Sequence, residues 1–163
     1  MIEKDIDLIP LDKTHFPLFY KWWNNQELRE LTSQTFKEIS PEEINNILDS
    51  HFENKNAFDF IITYQNKPIG HILIQKKKGK KFFEIYIAIG EKNYWNKGIG
   101  TISTQKACGW FFIQFPQEKT IELGVNLDNP RAIRCYEKVG FKKIRIKHYK
   151  NYPDIYLMHL TKK

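Results

Sequence analysis

Residues Asn126–Phe141 read NLDNPRAIRCYEKVGF, and the way this stretch folds organises everything around it. Asn129 followed by Pro130 is a helix start. The amide side chain can cap the first turn, and proline suits the first helical position, where its missing N–H costs nothing. Gly140 stands where the residue after the helix adopts the left-handed conformation that glycine tolerates. The helix between them carries Ile133 and Tyr136 on one face, three residues apart. Thr120–Val125 before it reads as a strand, and Phe141–Tyr149 after it as another.

Further upstream, Asn93–Thr101 reads NYWNKGIGT. The strand Phe82–Gly90 runs into it, and a helix over Thr101–Phe115, ended near Pro116, leaves it. Gly98 and Gly100 lack side chains, so their backbone N–H groups can approach a bulky anion. The following helix adds its unpaired first-turn N–H groups and the positive end of its dipole. Together these make an anion site suited to phosphate, although a plain strand-to-helix turn also favours glycine. No Gly-Lys-Ser/Thr follows, so this is not a P-loop, and the third glycine of the dinucleotide fingerprint is absent.

The remaining elements fall into line around these two. Ile6–Leu11 reads as a first strand. His15–Asn24 reads as an aromatic-rich helix with Pro17 in its first turn. Ser40-Pro41-Glu42-Glu43 is a capping box opening a helix with Ile44, Ile47 and Leu48 on one face. Phe58–Tyr64 and Pro68–Gln75 are strands joined by Gln65-Asn66-Lys67. Lys76–Lys81 (KKKGKK) is a polar hairpin around Gly79. Asp154–Leu160 closes the chain as a strand after the turn Lys150–Pro153. The expected order is β-α-α-β-β-β-α-β-α-β-β, an α+β arrangement of a mixed sheet with helices on both faces.

The chain of 163 residues is 41% hydrophobic and 15% aromatic. That suits a single domain over residues 1–163 with a core that needs no disulfides. The start, MIEKDIDLIP, has no signal-peptide pattern, and the longest strongly apolar run, Trp110–Ile113, is far too short to span a bilayer. Cys108 and Cys135 lack metal-ligand spacing and fit a reducing compartment, so a cytoplasmic location is expected, with no membrane partner. Five scattered histidines offer no metal spacing either. The net charge is +7, but residues 1–60 carry 12 acids and 6 bases, and residues 61–163 carry 7 acids and 20 bases. Either the faces are solvated with an incidental bias, or two halves of one site meet different ligands.

Taken together, the two segments resemble the Gcn5-related N-acetyltransferase (GNAT) superfamily. Its acetyl-CoA motif, R/Q-x-x-G-x-G/A, is similar to Trp95-Asn96-Lys97-Gly98-Ile99-Gly100, with Trp95 where Arg or Gln is frequent, as in ribosomal-protein and spermidine acetyltransferase branches. Its later segment, N-x-x-A-x-x-x-Y-x-K-x-G-F, matches Asn129, Ala132, Tyr136, Lys138, Gly140 and Phe141. The run NPRAIRCYEKVGF is also similar to aminoglycoside 6′-N-acetyltransferases. The resemblance implies a mostly antiparallel GNAT sheet and acetyl-CoA as cosubstrate, without metal. It implies that the amides of Gly98, Ile99, Gly100 and Thr101 bind the pyrophosphate and that the backbone near Ile89 pairs with pantetheine like an added strand. It also implies that Asn129 contacts the CoA arm and that Tyr136 stands near the sulfur.

Acyl transfer to an amine needs a neutral nucleophile, a stabilised oxyanion and a protonated leaving group. Tyr136 fits the last role; packing beside Ile133 is its alternative. Glu84, fourteen residues before Gly98 on the fourth strand, fits the first, as the spacing in lysine-acetylating members implies. Tyr86 faces the same side of that strand. Pairing with a hairpin lysine is the alternative for Glu84. Trp22 and Trp23 are candidates for an acceptor pocket, with at least one in the core because neighbours on a helix point apart. Cys135 has no partnering base and reads as a buried thiol. KKKGKK reads as a solvated hairpin, and no nucleic-acid recognition motif appears. The expectation is an acetyl-CoA-dependent N-acetyltransferase acting on a small-molecule or peptide primary amine. A cationic acceptor would match the acidic first part of the chain. The rival is an acyl-CoA-binding sensor without turnover.

Overall fold

The computed structural model describes residues 2–32 and 37–163. Strand β1 (Ile6–Pro10) leads through a short 3-10 turn into helix α1 (Phe16–Trp23), then α2 (Gln26–Thr32) and α3 (Pro41–Glu53). Strands β2 (Ala57–Tyr64), β3 (Lys67–Gln75) and β4 (Phe83–Ile89) follow, then α4 (Ile99–Gln114), β5 (Thr120–Asn126), α5 (Pro130–Val139), β6 (Lys142–Lys147) and β7 (Ile155–Thr161). The seven strands form one sheet in the order β1-β2-β3-β4-β5-β7-β6. All neighbours are antiparallel except β4 and β5.

The local signals hold. Ser40 caps α3, its hydroxyl accepting from the Glu43 N–H at 3.1 Å while the Glu43 carboxylate accepts from the Ser40 N–H at 3.0 Å. Asn129 caps α5 by accepting from the Ala132 N–H at 3.1 Å, and Gly140 takes φ 110° behind it. Two details differ from the sequence reading. The order contains one more helix, α2, started by Asn25, whose side chain accepts from the Leu28 N–H at 2.9 Å. Seven residues are marginal as an isolated helix; this one is held by packing, with Leu28 buried in the core. Helix α4 begins at Ile99 rather than Thr101, because Gly98 turns the chain at φ 77° and serves as its N-cap residue.

The core lies in two layers, one on each face of the sheet. Residues alternate between them along a strand, so Ile62 joins the layer under α4 and α5 while Ile61 joins the layer under α1 and α3. Helix α1 seats Trp22, 0% exposed, directly against Gly90, where an added Cβ would lie 2.2 Å from the indole.

One feature of the sheet positions everything else. β4 and β5 pair only at Phe83↔Ile121 and Glu84↔Glu122, whereas β5 pairs with β7 along its whole length, from Thr120 to Asn126. Beyond Glu84 the two strands part. Residues 85–89 therefore have no strand partner on the β5 side among the described residues, and a wedge opens in the middle of the sheet.

Candidate active site

The wedge is the floor of a cleft of about 610 Å³. Ile85–Ile89 line one wall and Gly124–Asn126 the other. The cradle end is built on α4. Gly98 has no side-chain cap, and no acidic residue occupies the first turn. The N–H groups at this helix start thus lack the side-chain acceptor that usually satisfies them. A Cβ on Gly98 would meet nothing within 4 Å, so space stands open above that backbone. Uncapped N–H groups, a helix dipole and open space fit a diphosphate. The unpartnered edge of β4 fits an extended arm added as a strand.

Trp95 pins the loop before this cradle. Its indole N–H donates to the Ile89 carbonyl at 2.7 Å, and the Arg131 guanidinium stacks 4.1 Å above the ring. Arg131 went unnoticed in the sequence. The available signal was basic residues at 131, 134 and 138, a spacing that shares one face of α5; all three line the cleft. Of the residues singled out in the sequence, the cleft brings together Ile89, Trp95, Asn96, Gly98, Ile99, Gly100, Thr101, Asn129 and Tyr136. It leaves out Lys97, whose ammonium sits 5.6 Å from the Tyr94 ring centre, and Glu84.

Tyr136 is 8% exposed at the cleft wall, and burial raises its hydroxyl above the ordinary phenol range. A phenol held protonated is a proton donor, not a base. Burial raises neighbouring Cys135 as well and favours its neutral thiol, although the Thr101 hydroxyl, donating to its sulfur at 3.3 Å, pulls the other way. Asn129 uses both ends of its amide within the protein: Oδ1 in the cap, and Nδ2 donating to the Leu31 carbonyl at 3.2 Å. Asn126 donates to the same carbonyl at 3.4 Å, so the two asparagines fasten the end of α2 over the cleft.

Glu84 stands at the last β4–β5 pair, just behind the lining. It accepts a short hydrogen bond from the Tyr86 hydroxyl, and the Lys80 ammonium lies 3.8 Å away. Tyr86 lines the cleft, so this carboxylate reaches it through the phenol. Burial of the Tyr86 hydroxyl, with Glu84 beside it, raises Tyr86 well above the usual range.

The other end of the cleft is aromatic. Trp22 is spent on packing and on donating to Glu91 at 2.9 Å; Trp23 is half-buried and donates to His71 Nε2 at 3.1 Å. The Glu91 carboxyl, which burial would raise, is instead held below its ordinary value by the Lys21 ammonium and the Trp22 indole. The carboxylates Glu27, Glu30, Glu38, Glu42, Glu43, Asp49 and Glu53 of the acidic first part do not line the cleft. Glu27 pairs with Lys92 at 2.6 Å, Asp49 with Lys13 at 3.0 Å, and Glu43 closes the capping box. Among the described residues no group of three or more His, Cys, Asp or Glu is arranged to hold a metal, and no helix is long and apolar enough to cross a membrane.

Comparison with known proteins finds the same architecture. The profile of the acetyltransferase (GNAT) domain matches residues 5–142. An N-acetyltransferase 9-like protein of Dictyostelium discoideum is 26% identical over 163 residues, which is all of this chain and 66% of that protein. Among solved structures, spermidine N-acetyltransferase from Vibrio cholerae, in complex with CoA and spermine, superposes with a TM-score of 0.82 at 19% identity. It covers 97% of this chain and 96% of its own. AAC(6')-Ib in complex with ribostamycin and coenzyme A gives 0.82 at 20% identity over 96% of this chain and 93% of its own.

Proposed function

The chain belongs to the GNAT acetyltransferase family, and on that premise we propose that it is a single-domain N-acetyltransferase that moves the acetyl group of acetyl-CoA onto a primary amine by direct attack. The observation that carries this reading is the wedge: a strand edge left unpaired between β4 and β5, leading from the uncapped start of α4 to Tyr136. The amides of Gly98–Thr101 hold the diphosphate, and Arg131 on Trp95, with Arg134 and Lys138, supplies cationic neighbours for it. Bound there, acetyl-CoA supplies a thioester whose acyl carbon the amine attacks. Tyr136 donates its proton to the departing sulfur, and its buried, protonated state supports that role. Glu84, reaching the cleft through the Tyr86 hydroxyl, holds the attacking amine in place.

The acceptor in this proposal is cationic: a polyamine, an aminoglycoside or a basic peptide amine. The support is the ring of Trp23 and Tyr86 at the acceptor end, whose π faces attract ammonium groups, together with the Glu84 and Asp59 carboxylates close behind the lining. The solved structures with spermine and with ribostamycin show this fold accommodating such amines in other proteins. The external carboxylates of α2 and α3 act only at long range. The test is CoA release from acetyl-CoA across a panel of polyamines, aminoglycosides, lysine peptides and anionic amines. Turnover of cationic amines above the rest supports the proposal. Tight acetyl-CoA binding with no turnover of any amine selects the sensor instead.

A further inference from the structure

Three elements bring a carboxylate and two imidazoles together at the acceptor end. His51 on α3 lines the cleft, and its Nδ1 lies 2.8 Å from Asp59 Oδ2 on β2. His71 on β3 also lines the cleft, its Nδ1 3.9 Å from Asp59 Oδ1. The three side chains are 11%, 4% and 9% exposed. Asp59 Oδ1 and His71 Nδ1, facing each other, are both buried without a hydrogen-bond partner among the described residues. A gap of 3.9 Å is too long for a direct hydrogen bond.

The tautomers follow from the donors. Trp23 can only donate, so His71 Nε2 must be unprotonated and its proton sits on Nδ1, toward Asp59. Burial lowers His71 below the ordinary imidazole range, which keeps it neutral and unfit to carry a charge. Asp59 is an acceptor, so His51 presents its Nδ1 proton to it and keeps Nε2 free as a base. The titratable groups facing His51 are Asp59 from β2 and His71 from β3. Helix α1 contributes the uncharged rings of Phe19, Trp22 and Trp23 against His71. Arg29, Lys77 and Tyr86 line the same cleft.

Resting on the transferase reading above, we propose that His51, backed by Asp59, is the base that takes the ammonium proton of the acceptor, and that His71, oriented by Trp23, positions the Asp59 carboxylate. His51 Nε2 accepts one proton from R–NH3⁺, becoming an imidazolium paired with Asp59. The freed nitrogen pair forms the C–N bond as the C–S bond breaks. The sulfur takes the Tyr136 proton, the phenolate recovers the proton shed by the acetylated nitrogen, and His51 returns its own to solvent. Glu84 and Tyr86, on β4, then serve to orient the amine.

The test compares His51→Gln, Asp59→Asn and Glu84→Gln. With acetyl-CoA and the best amine of the panel, His51→Gln should lose the acid limb of the kcat/KM profile and roughly 10²–10⁴ in rate, with unchanged acetyl-CoA affinity. Asp59→Asn should lower kcat/KM in the same direction, and Glu84→Gln should keep the limb. A limb retained in His51→Gln but lost in Glu84→Gln overturns the proposal while leaving the transferase reading intact. A second readout needs no turnover: imidazole nitrogen NMR of the free protein. It should show His71 with Nδ1 protonated and Nε2 not, and neutral His51 with its proton on Nδ1, toward Asp59. A His51 that carries its proton on Nε2 instead overturns the assignment whatever the amine.

Discussion

Gly98 offers the sharpest test of the cradle. Its φ of 77° is a conformation that asparagine and aspartate tolerate better than other side chains, and a Cβ there meets nothing within 4 Å. Gly98→Asn and Gly98→Asp therefore share one shape and one modest backbone cost, and differ by a single charge. Should the first-turn amides of α4 hold a diphosphate, the new carboxylate would stand about 5 Å from about two negative charges. Coulomb's law puts that repulsion at about 1.7 kcal/mol in the dielectric of bulk water, and about 3.3 kcal/mol at half that value. At tenfold per 1.4 kcal/mol, Gly98→Asp should bind acetyl-CoA between about 15-fold and about 250-fold more weakly than Gly98→Asn. Calorimetry at about 0.01 M salt, where the Debye length is about 30 Å, keeps the effect nearly unscreened, and the ratio should shrink at about 0.15 M. Thermal melts should place the two variants within a few degrees of each other. Equal affinities in two folded variants would refute the cradle.

Tyr136→Phe should keep acetyl-CoA affinity by calorimetry and lose roughly 10²–10⁴ in kcat; near-normal turnover would reduce Tyr136 to packing against Phe141. Glu84→Gln should raise KM for the amine while keeping the acid limb of the pH-rate profile, because Glu84 and Tyr86 orient the acceptor; a limb lost in this variant would return the proton to Glu84. Asn129→Ala loses both the α5 cap and the tie to Leu31, and a melt should show a loss of about 1–2 kcal/mol. With a cationic acceptor, kcat/KM should fall between about 0.01 and about 0.15 M salt while kcat holds; a flat profile with the best amine excludes electrostatic steering.

The amino-acid sequence alone determined those features whose physics is local. The caps at Ser40 and Asn129, the glycine turns at Gly98 and Gly140 and the hairpin KKKGKK each depend on residues within four or five positions of one another. Strand and helix periodicity needs little more. The glycine loop and Tyr136, which the fold brings to one cleft, were legible for that reason. Tertiary structure alone decided the rest. The parting of β4 from β5 after Glu84 depends on a register between strands more than thirty residues apart, which neither strand encodes by itself. Helix α2 is too short to declare itself and exists through its burial and the grip of Asn126 and Asn129 on Leu31. Arg131 meets Trp95 only when α5 packs beside the loop. The acidic bias of residues 1–60 was plain in the sequence, but where each carboxylate lies is set by packing, and packing left none of them in the cleft lining. His51, Asp59 and His71 lie on a helix and two strands. No spacing rule joins them, because their juxtaposition is made by the layer in which α3 crosses the sheet.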